Sequence, residues 1–187
     1  MNDIRGFFGE YRFLSNFTPA TIKFEGDYYS SVEHAYVAAK TLSPRERELI
    51  RMVESAGKIK IIGRRLTLRP EWNKLRISFM RSFLEQKFNY PKYKELLLKT
   101  GSAYLEETNS WGDTFWGVSN GCGLNTLGQL LMSIRTSYQK YDKYTIEELV
   151  LLKEEQDDRL SVNPLDSSAQ SRYNELCKVI NQRQENA

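Results

Sequence analysis

The stretch Ser30-Ser31-Val32-Glu33-His34-Ala35-Tyr36-Val37-Ala38-Ala39-Lys40 restricts this chain more than any other. Ser30-Ser31-Val32-Glu33 has the form of a capping box, in which a serine holds a backbone amide and the glutamate reaches back to the cap residue's own amide. A helix is expected to start here. Side chains three and four apart share a helical face, so Glu33, Tyr36, Val37 and Lys40 fall on one stripe. A carboxylate, a phenol and an ammonium on one stripe suit the wall of a site. Local chemistry leaves a plainer reading open for each: Glu33 committed to its cap, Lys40 solvated at the negative end of the helix dipole, and His34, the single histidine, packed or on the surface.

The rest of the chain reads as short helices punctuated by glycine and proline. Residues 7–17 are aromatic with polar residues interleaved, and read as a short extended segment and a turn that Pro19 closes. Thr21-Ile22-Lys23-Phe24, the turn Glu25-Gly26-Asp27 and Tyr28-Tyr29 form a small β-hairpin pattern. Ser43-Pro44 opens a helix expected to run to about Ala56, with Gly57 as its stop. A short basic helix over Lys58–Arg65 has Gly63 for close backbone approach. Arg69-Pro70-Glu71-Trp72 starts the longest pattern, with Trp72, Leu75, Phe79, Phe83 and Leu84 at near-helical spacing up to Phe88. Pro91 opens a helix through Leu98 that Gly101 ends. Residues 103–120 read as irregular or short β structure, and Thr126 to Tyr138 as a helix. A charged amphipathic helix (Thr145 to Leu160), a polar linker (Ser161 to Ser168) and a helix from Arg172 to Gln182 follow.

Composition narrows the class. A chain of 187 residues, 40% hydrophobic, can bury a sizeable core in one domain with an appendage. The formal charge of +3 suits an anionic small molecule as well as nucleic acid. One histidine and two distant cysteines, Cys122 and Cys177, lack metal-ligand spacing, so no metal or cofactor is expected. No apolar run approaches the ~18 residues of a membrane span, and Met1–Gly6 lacks a signal-peptide layout. The expectation is a reduced, cytoplasmic protein that does not engage a membrane.

Two further segments carry chemistry. Trp111-Gly112-Asp113-Thr114-Phe115-Trp116-Gly117 sets aromatic rings beside a carboxylate, an arrangement that suits a stacked heterocycle with a hydrogen-bonded edge, although core and turn would explain it too. Gly121-Cys122-Gly123-Leu124-Asn125 precedes a helix, whose first amides favour an anion such as phosphate. It lacks the lysine of a P-loop, and Gly123 equally fits a turn at positive φ.

Together these segments resemble the YbiA-like family, also called the NADAR domain, for NAD and ADP-ribose. The likeness covers roughly residues 6–138. It is carried by Phe8-Gly9-Glu10 with Phe13-Leu14-Ser15-Asn16-Phe17, by Ser31–Tyr36 with Lys40, and by Arg69-Pro70-Glu71-Trp72. Lys99-Thr100-Gly101, Asp113–Gly117 and Gly123–Met132 complete it. The resemblance implies a mainly α fold (α+β with a small N-terminal β-hairpin) over residues 1–140, a helical extension over 141–187 of open role, and hydrolysis of an N-glycosidic bond. It implies two substrate classes: ribosylamino-pyrimidine phosphates of riboflavin synthesis, and ADP-ribose on guanine bases, including those of nucleic acid.

Breaking a ribosyl C–N bond builds positive charge on the sugar, which calls for a carboxylate, a positioned water and help for the departing nitrogen. On that reading Glu33 is the carboxylate, Asp113 the second candidate and Lys40 a phosphate ligand or a tuner of Glu33. Tyr36, Trp72 and Trp116 would shape the pocket or stack, and Ser15, Asn16, Gly123 and Asn125 would contact sugar or phosphate. The alternatives are a non-catalytic ADP-ribose or NAD module, and a nucleic-acid-binding protein using Lys58, Lys60, Arg64, Arg65 and Arg69.

Overall fold

Aromatic side chains on one long helix organise the observed architecture. The computed structural model describes residues 3–54 and 56–185, so expectations touching Met1, Asn2, Ser55, Asn186 and Ala187 lie outside the described residues. The chain divides into two compact units, Met1–Ile134 and Arg135–Ala187. In the first, a hairpin of β2 (Pro19–Phe24) and β3 (Asp27–Ser31) runs straight into α1 (Val32–Ala39). Glu25 and Gly26, at φ 46° and 90°, make the turn, and two adjacent positive φ values match the twist of a tight hairpin. The hairpin is where the sequence puts it.

Helix α4 (Trp72–Asn89) stacks Trp72, Phe79 and Phe83 in series, with ring centroids 6.2 and 6.1 Å apart. Phe24 of β2 meets Phe79 and Phe83 edge-on at 5.5 and 5.3 Å, and Tyr36 of α1 meets Trp72 at 5.1 Å. The rings thus tie hairpin, α1 and α4 together, each contact adding about 0.5–1.5 kcal/mol beyond area burial. Arg69 and Arg47 close the hairpin tip on Glu25 at 3.1 and 2.5 Å. Arg69, expected in a basic nucleic-acid face, is largely buried in this role and lies 4.8 Å over the Phe79 ring.

Three local expectations change. Residues Gly9–Leu14 form a 3-10 helix rather than an extended segment, with Gly9 at φ 57° and the Ser15 amide donating to the Arg12 carbonyl at 3.0 Å. The helix from Ser43 does not reach Ala56. It breaks after α2 (Pro44–Arg51), and α3 (Ala56–Gly63) starts where a stop was expected. The break is held by His34, whose Nε2 lies 2.7 Å from the Val53 carbonyl oxygen. The last helix of the chain is longer than the sequence suggests.

Beyond α5 (Pro91–Lys99), residues 103–120 hold only two-residue strands, β4 (Leu105–Glu106), β5 (Thr108–Asn109) and β6 (Val118–Ser119). β4 pairs in parallel with β1 (Ile4–Arg5), and β5 with β6. Helix α6 (Thr126–Tyr141) follows. In the second unit, α7 (Ile146–Val162) begins on a complete capping box of Thr145 and Glu148, and α8 (Ser167–Glu185) joins it around Tyr141, Leu149, Leu176 and Ile180. Among the described residues, no helix is long and apolar enough to cross a membrane.

Lys87 of α4 is fully buried and donates to the Ser15 carbonyl at 2.7 Å. Burial lowers its pKa to about 7, against about 10.4 for a lysine in an unfolded chain. Between those values the unfolded chain binds more protons than the folded one, so this group's contribution makes stability rise with pH. Thermal unfolding of wild type and Lys87→Met should show their difference moving in favour of wild type from pH 7 to 10. A pH-independent difference would count against a displaced lysine.

Candidate functional site

Helix α1 starts one residue later than the expected capping box requires. Ser31, not Ser30, is the N-cap, and its Oγ accepts from the His34 amide at 3.3 Å. His34 Nδ1 lies 2.7 Å from the same Oγ, so with Nε2 on Val53 the imidazole is a packed structural link. Glu33 is then the second helical residue, one short of the position from which a capping-box glutamate reaches back. Its amide is held by the Asn16 carbonyl at 3.0 Å. Among the described residues, no protein group hydrogen-bonds its carboxylate, which faces a cavity of about 390 Å³.

The whole expected stripe, Glu33, Tyr36, Val37 and Lys40, lines that cavity. So do Ser15, Asn16, Trp72, Trp116 and Asp113 from the other expected positions. Tyr36 stands edge-on to Trp116 at 5.4 Å, and the Lys40 ammonium lies 5.4 Å from the Tyr36 ring centre. Burial raises the Tyr36 pKa well above the usual phenol range, against a hydrogen bond with Trp116. Tyr36 is thus a neutral wall. Asn16 Oδ1 is buried without a hydrogen-bond partner, which leaves an acceptor for a ligand.

Asp113 is placed at the cavity but is partly occupied. Its Oδ1 accepts from the Phe115 and Trp116 backbone amides at 3.1 and 2.8 Å, closing the turn that carries Trp116. Asn109 clasps the same turn, accepting from the Asp113 amide at 3.0 Å and donating to its carbonyl at 2.8 Å.

Gly123 and Asn125 do not line the cavity. The α6 amides expected to be free for phosphate are taken: Leu124, Asn125, Thr126 and Leu127 donate to the carbonyls of Thr114, Gly117, Phe115 and Trp116 at 2.7–3.3 Å. Gly123, at φ 155°, lets that loop approach, since a Cβ would collide with the Gly117 carbonyl oxygen. Asn125 is buried, donating to the Leu105 carbonyl at 2.8 Å and accepting from the Glu107 amide at 3.0 Å. Both residues therefore build the wall behind the site.

The residue the sequence did not single out is Glu107. It lines the cavity, and its Oε2 is buried with no hydrogen-bond partner. Burial raises its pKa to about 7, Lys60 opposing and the charges of Asp113 and Glu33 adding to the rise. Burial likewise raises Glu33, opposed by Lys60 and Lys40 and reinforced by Asp113. Lys40 is lowered, chiefly by its own burial, with Glu33 pulling the other way. Lys60, Arg64 and Arg76 bring further positive charge to the lining. Arg76 lies four residues after Trp72, one turn along the same face of α4, and that spacing could have found it. Glu107 sits between two-residue strands, where no periodicity exists to read. Among the described residues, no group of three or more His, Cys, Asp or Glu is set to hold a metal ion.

Comparison with known proteins gives the family. The profile of the NADAR domain matches residues 6–139. The chain belongs to the NADAR family. An N-glycosidase of Nostoc punctiforme is 37% identical over 132 residues, covering 67% of this chain and 84% of its own. The N-glycosidase YbiA of Escherichia coli is 36% identical over 130 residues, covering 67% and 81%. A riboflavin biosynthesis protein of Vibrio vulnificus is 34% identical over 143 residues, covering 74% of this chain but 38% of its own. The NMR structure of E. coli YbiA superposes with a TM-score of 0.67 at 32% identity, covering 78% of this chain and 91% of that one. The mainly α fold with small sheets is thus the YbiA fold.

A NADAR chain whose glycine loop is structural should not tolerate a side chain at that loop. Gly123→Ala is expected to lose about 1–3 kcal/mol from backbone strain, and more from the collision, in urea unfolding. An unchanged midpoint would contradict the close approach.

Proposed function

We propose that this chain is an N-glycosidase that hydrolyses the ribosyl C–N bond of a phosphorylated N-riboside. The observation that carries the reading is the Glu33 carboxylate, released from capping and set in the cavity against Lys60 and Lys40. Membership of a family whose relatives are named N-glycosidases supports it.

Burial raises the pKa of both carboxyls that line the cavity, and the charge of Glu33 adds to the rise at Glu107, whose pKa is about 7. Lys60 and Lys40 both oppose the rise at Glu33 and Lys60 alone opposes it at Glu107, so the role of proton carrier is assigned to Glu107 and that of carboxylate to Glu33. In the reaction Glu107 gives its proton to the departing nitrogen as the C–N bond breaks. Glu33 faces the positive charge growing on the sugar and takes a proton from the water whose oxygen bonds to the anomeric carbon. Asp113 keeps the Trp116 turn in place and adds negative potential. Lys40, Lys60, Arg64 and Arg76 are the groups available to a phosphate.

Both implied substrate classes fit this chemistry. The riboflavin-biosynthesis name of the Vibrio relative favours a ribosylamino-pyrimidine phosphate. The exposed Lys58 and Arg65 beside the cavity-lining Lys60 and Arg64 favour ADP-ribose on guanine within a nucleic acid. Parallel hydrolysis assays on a ribosylamino-pyrimidine phosphate and an ADP-ribosyl-guanine oligonucleotide separate them.

Glu33→Gln should lower kcat by about 10²-fold or more without loss of thermal stability, because no cap is broken. A wild-type rate in the folded variant would refute the role of Glu33. For wild type, kcat/KM should fall above about pH 7 as Glu107 loses its proton. Glu107→Gln should lower kcat/KM and remove that limb; a variant keeping the same limb would mean another group supplies the proton.

A further inference from the structure

The three tryptophans of the cavity are not equivalent. Trp72 is 8% exposed and belongs to the ring series of α4, whereas Trp111 is 57% exposed while lining the same cavity. Trp111 therefore stands at the opening. Among the described residues, no aromatic ring packs against it. The Lys60 ammonium lies 4.3 Å from its ring centre and 5.1 Å from that of Phe17.

The backbone that carries Trp111 is anchored. It lies between β5 and β6, whose parallel pairing sets Thr108 beside Val118 and Asn109 beside Ser119. The Asn109 side chain donates both to the Asp113 carbonyl and to the Val118 carbonyl, at 2.8 and 3.2 Å, closing the loop across its base. Gly112, at φ 81°, makes the bend just after the indole. Leaving a large ring in water on a pinned loop forgoes burial that folding could have used. A ring so presented has little conformational freedom left to lose when a flat partner stacks on it.

We infer that Trp111 is the stacking surface for the flat heterocycle of the ligand, at the opening of the cavity, with Lys60 beside it to meet the ligand's negative charge. The inference rests on the N-glycosidase reading for the identity of that ligand as a base-bearing riboside. Stacking is tolerant of which base is presented, because every base has a π face. Trp111 thus selects for a planar ring system on the ribose and leaves the reacting bond to the groups deeper in the cavity.

The test is calorimetric titration of the full chain with two probes, guanosine 5′-monophosphate and ribose 5-phosphate, which share a phosphorylated ribose and differ in the base. Trp111→Ala should weaken the nucleotide by roughly 5- to 150-fold and leave ribose 5-phosphate within about twofold, because the phosphate and sugar contacts are untouched. Trp111→Phe should restore most of the nucleotide affinity. Equal weakening of both probes, no weakening of either, or a wild type that binds the nucleotide no more tightly than ribose 5-phosphate would overturn the inference. Since binding is read without turnover, a chain that passes this test but releases no base keeps the stacking surface and loses the hydrolase reading. A chain that hydrolyses normally while Trp111→Ala binds both probes as wild type does the reverse.

Discussion

Helix α1 begins at Val32 because the Ser31 hydroxyl holds the His34 amide, and that setting decides which groups the helix can spend on the cavity. One residue earlier, the glutamate would stand where a capping box recruits it. As it is, the cap is completed by an uncharged hydroxyl and an imidazole, and the imidazole's other nitrogen fastens the chain between α2 and α3 at Val53. The same contact places α3, and with it Lys60 and Arg64, against α1. Gly63 permits the approach: a Cβ there would stand only 3.2 Å from a Val37 methyl.

The cavity that results holds like and unlike charges in a partly desolvated space. Removing a carboxylate from water is costly unless cations or hydrogen bonds compensate. Here the compensation is incomplete for Glu33 and Glu107, and their raised pKa values are the consequence. In the proposed reaction, the positive charge growing on the sugar would offset that cost. The ring series on α4 and the buried Lys87 strut to Ser15 supply the rigidity that keeps these groups from drifting apart.

Much of this was legible where period and local chemistry speak clearly. The hairpin turn at Glu25-Gly26, the α1 stripe, the proline starts of α2 and α5 and the α4 aromatic spacing appear as read. What was not legible depended on partners distant in sequence. The break after Arg51 depends on an imidazole from α1, the 3-10 helix at Gly9–Leu14 has no periodic signature, and the Ser30-to-Glu33 motif satisfies the capping pattern without forming it. Thr145 and Glu148 do form the box, so the motif is sound and its register is what sequence leaves open. Asp113 was readable as a carboxylate among rings, whereas Glu107 is set by a parallel pairing and an asparagine that no local rule predicts.

The amides at the start of α6 are already bonded to the carbonyls of Thr114–Gly117. A backbone cradle would have fixed a phosphate at one distance from the reacting carbon. Long lysine and arginine side chains, by contrast, are donors that swing to meet their anion. With a ring stacked on Trp111 as proposed, such a cavity would measure its ligand by the ring and be lenient about where the negative charge sits, the kind of tolerance that lets one fold be turned to ribosides of different length.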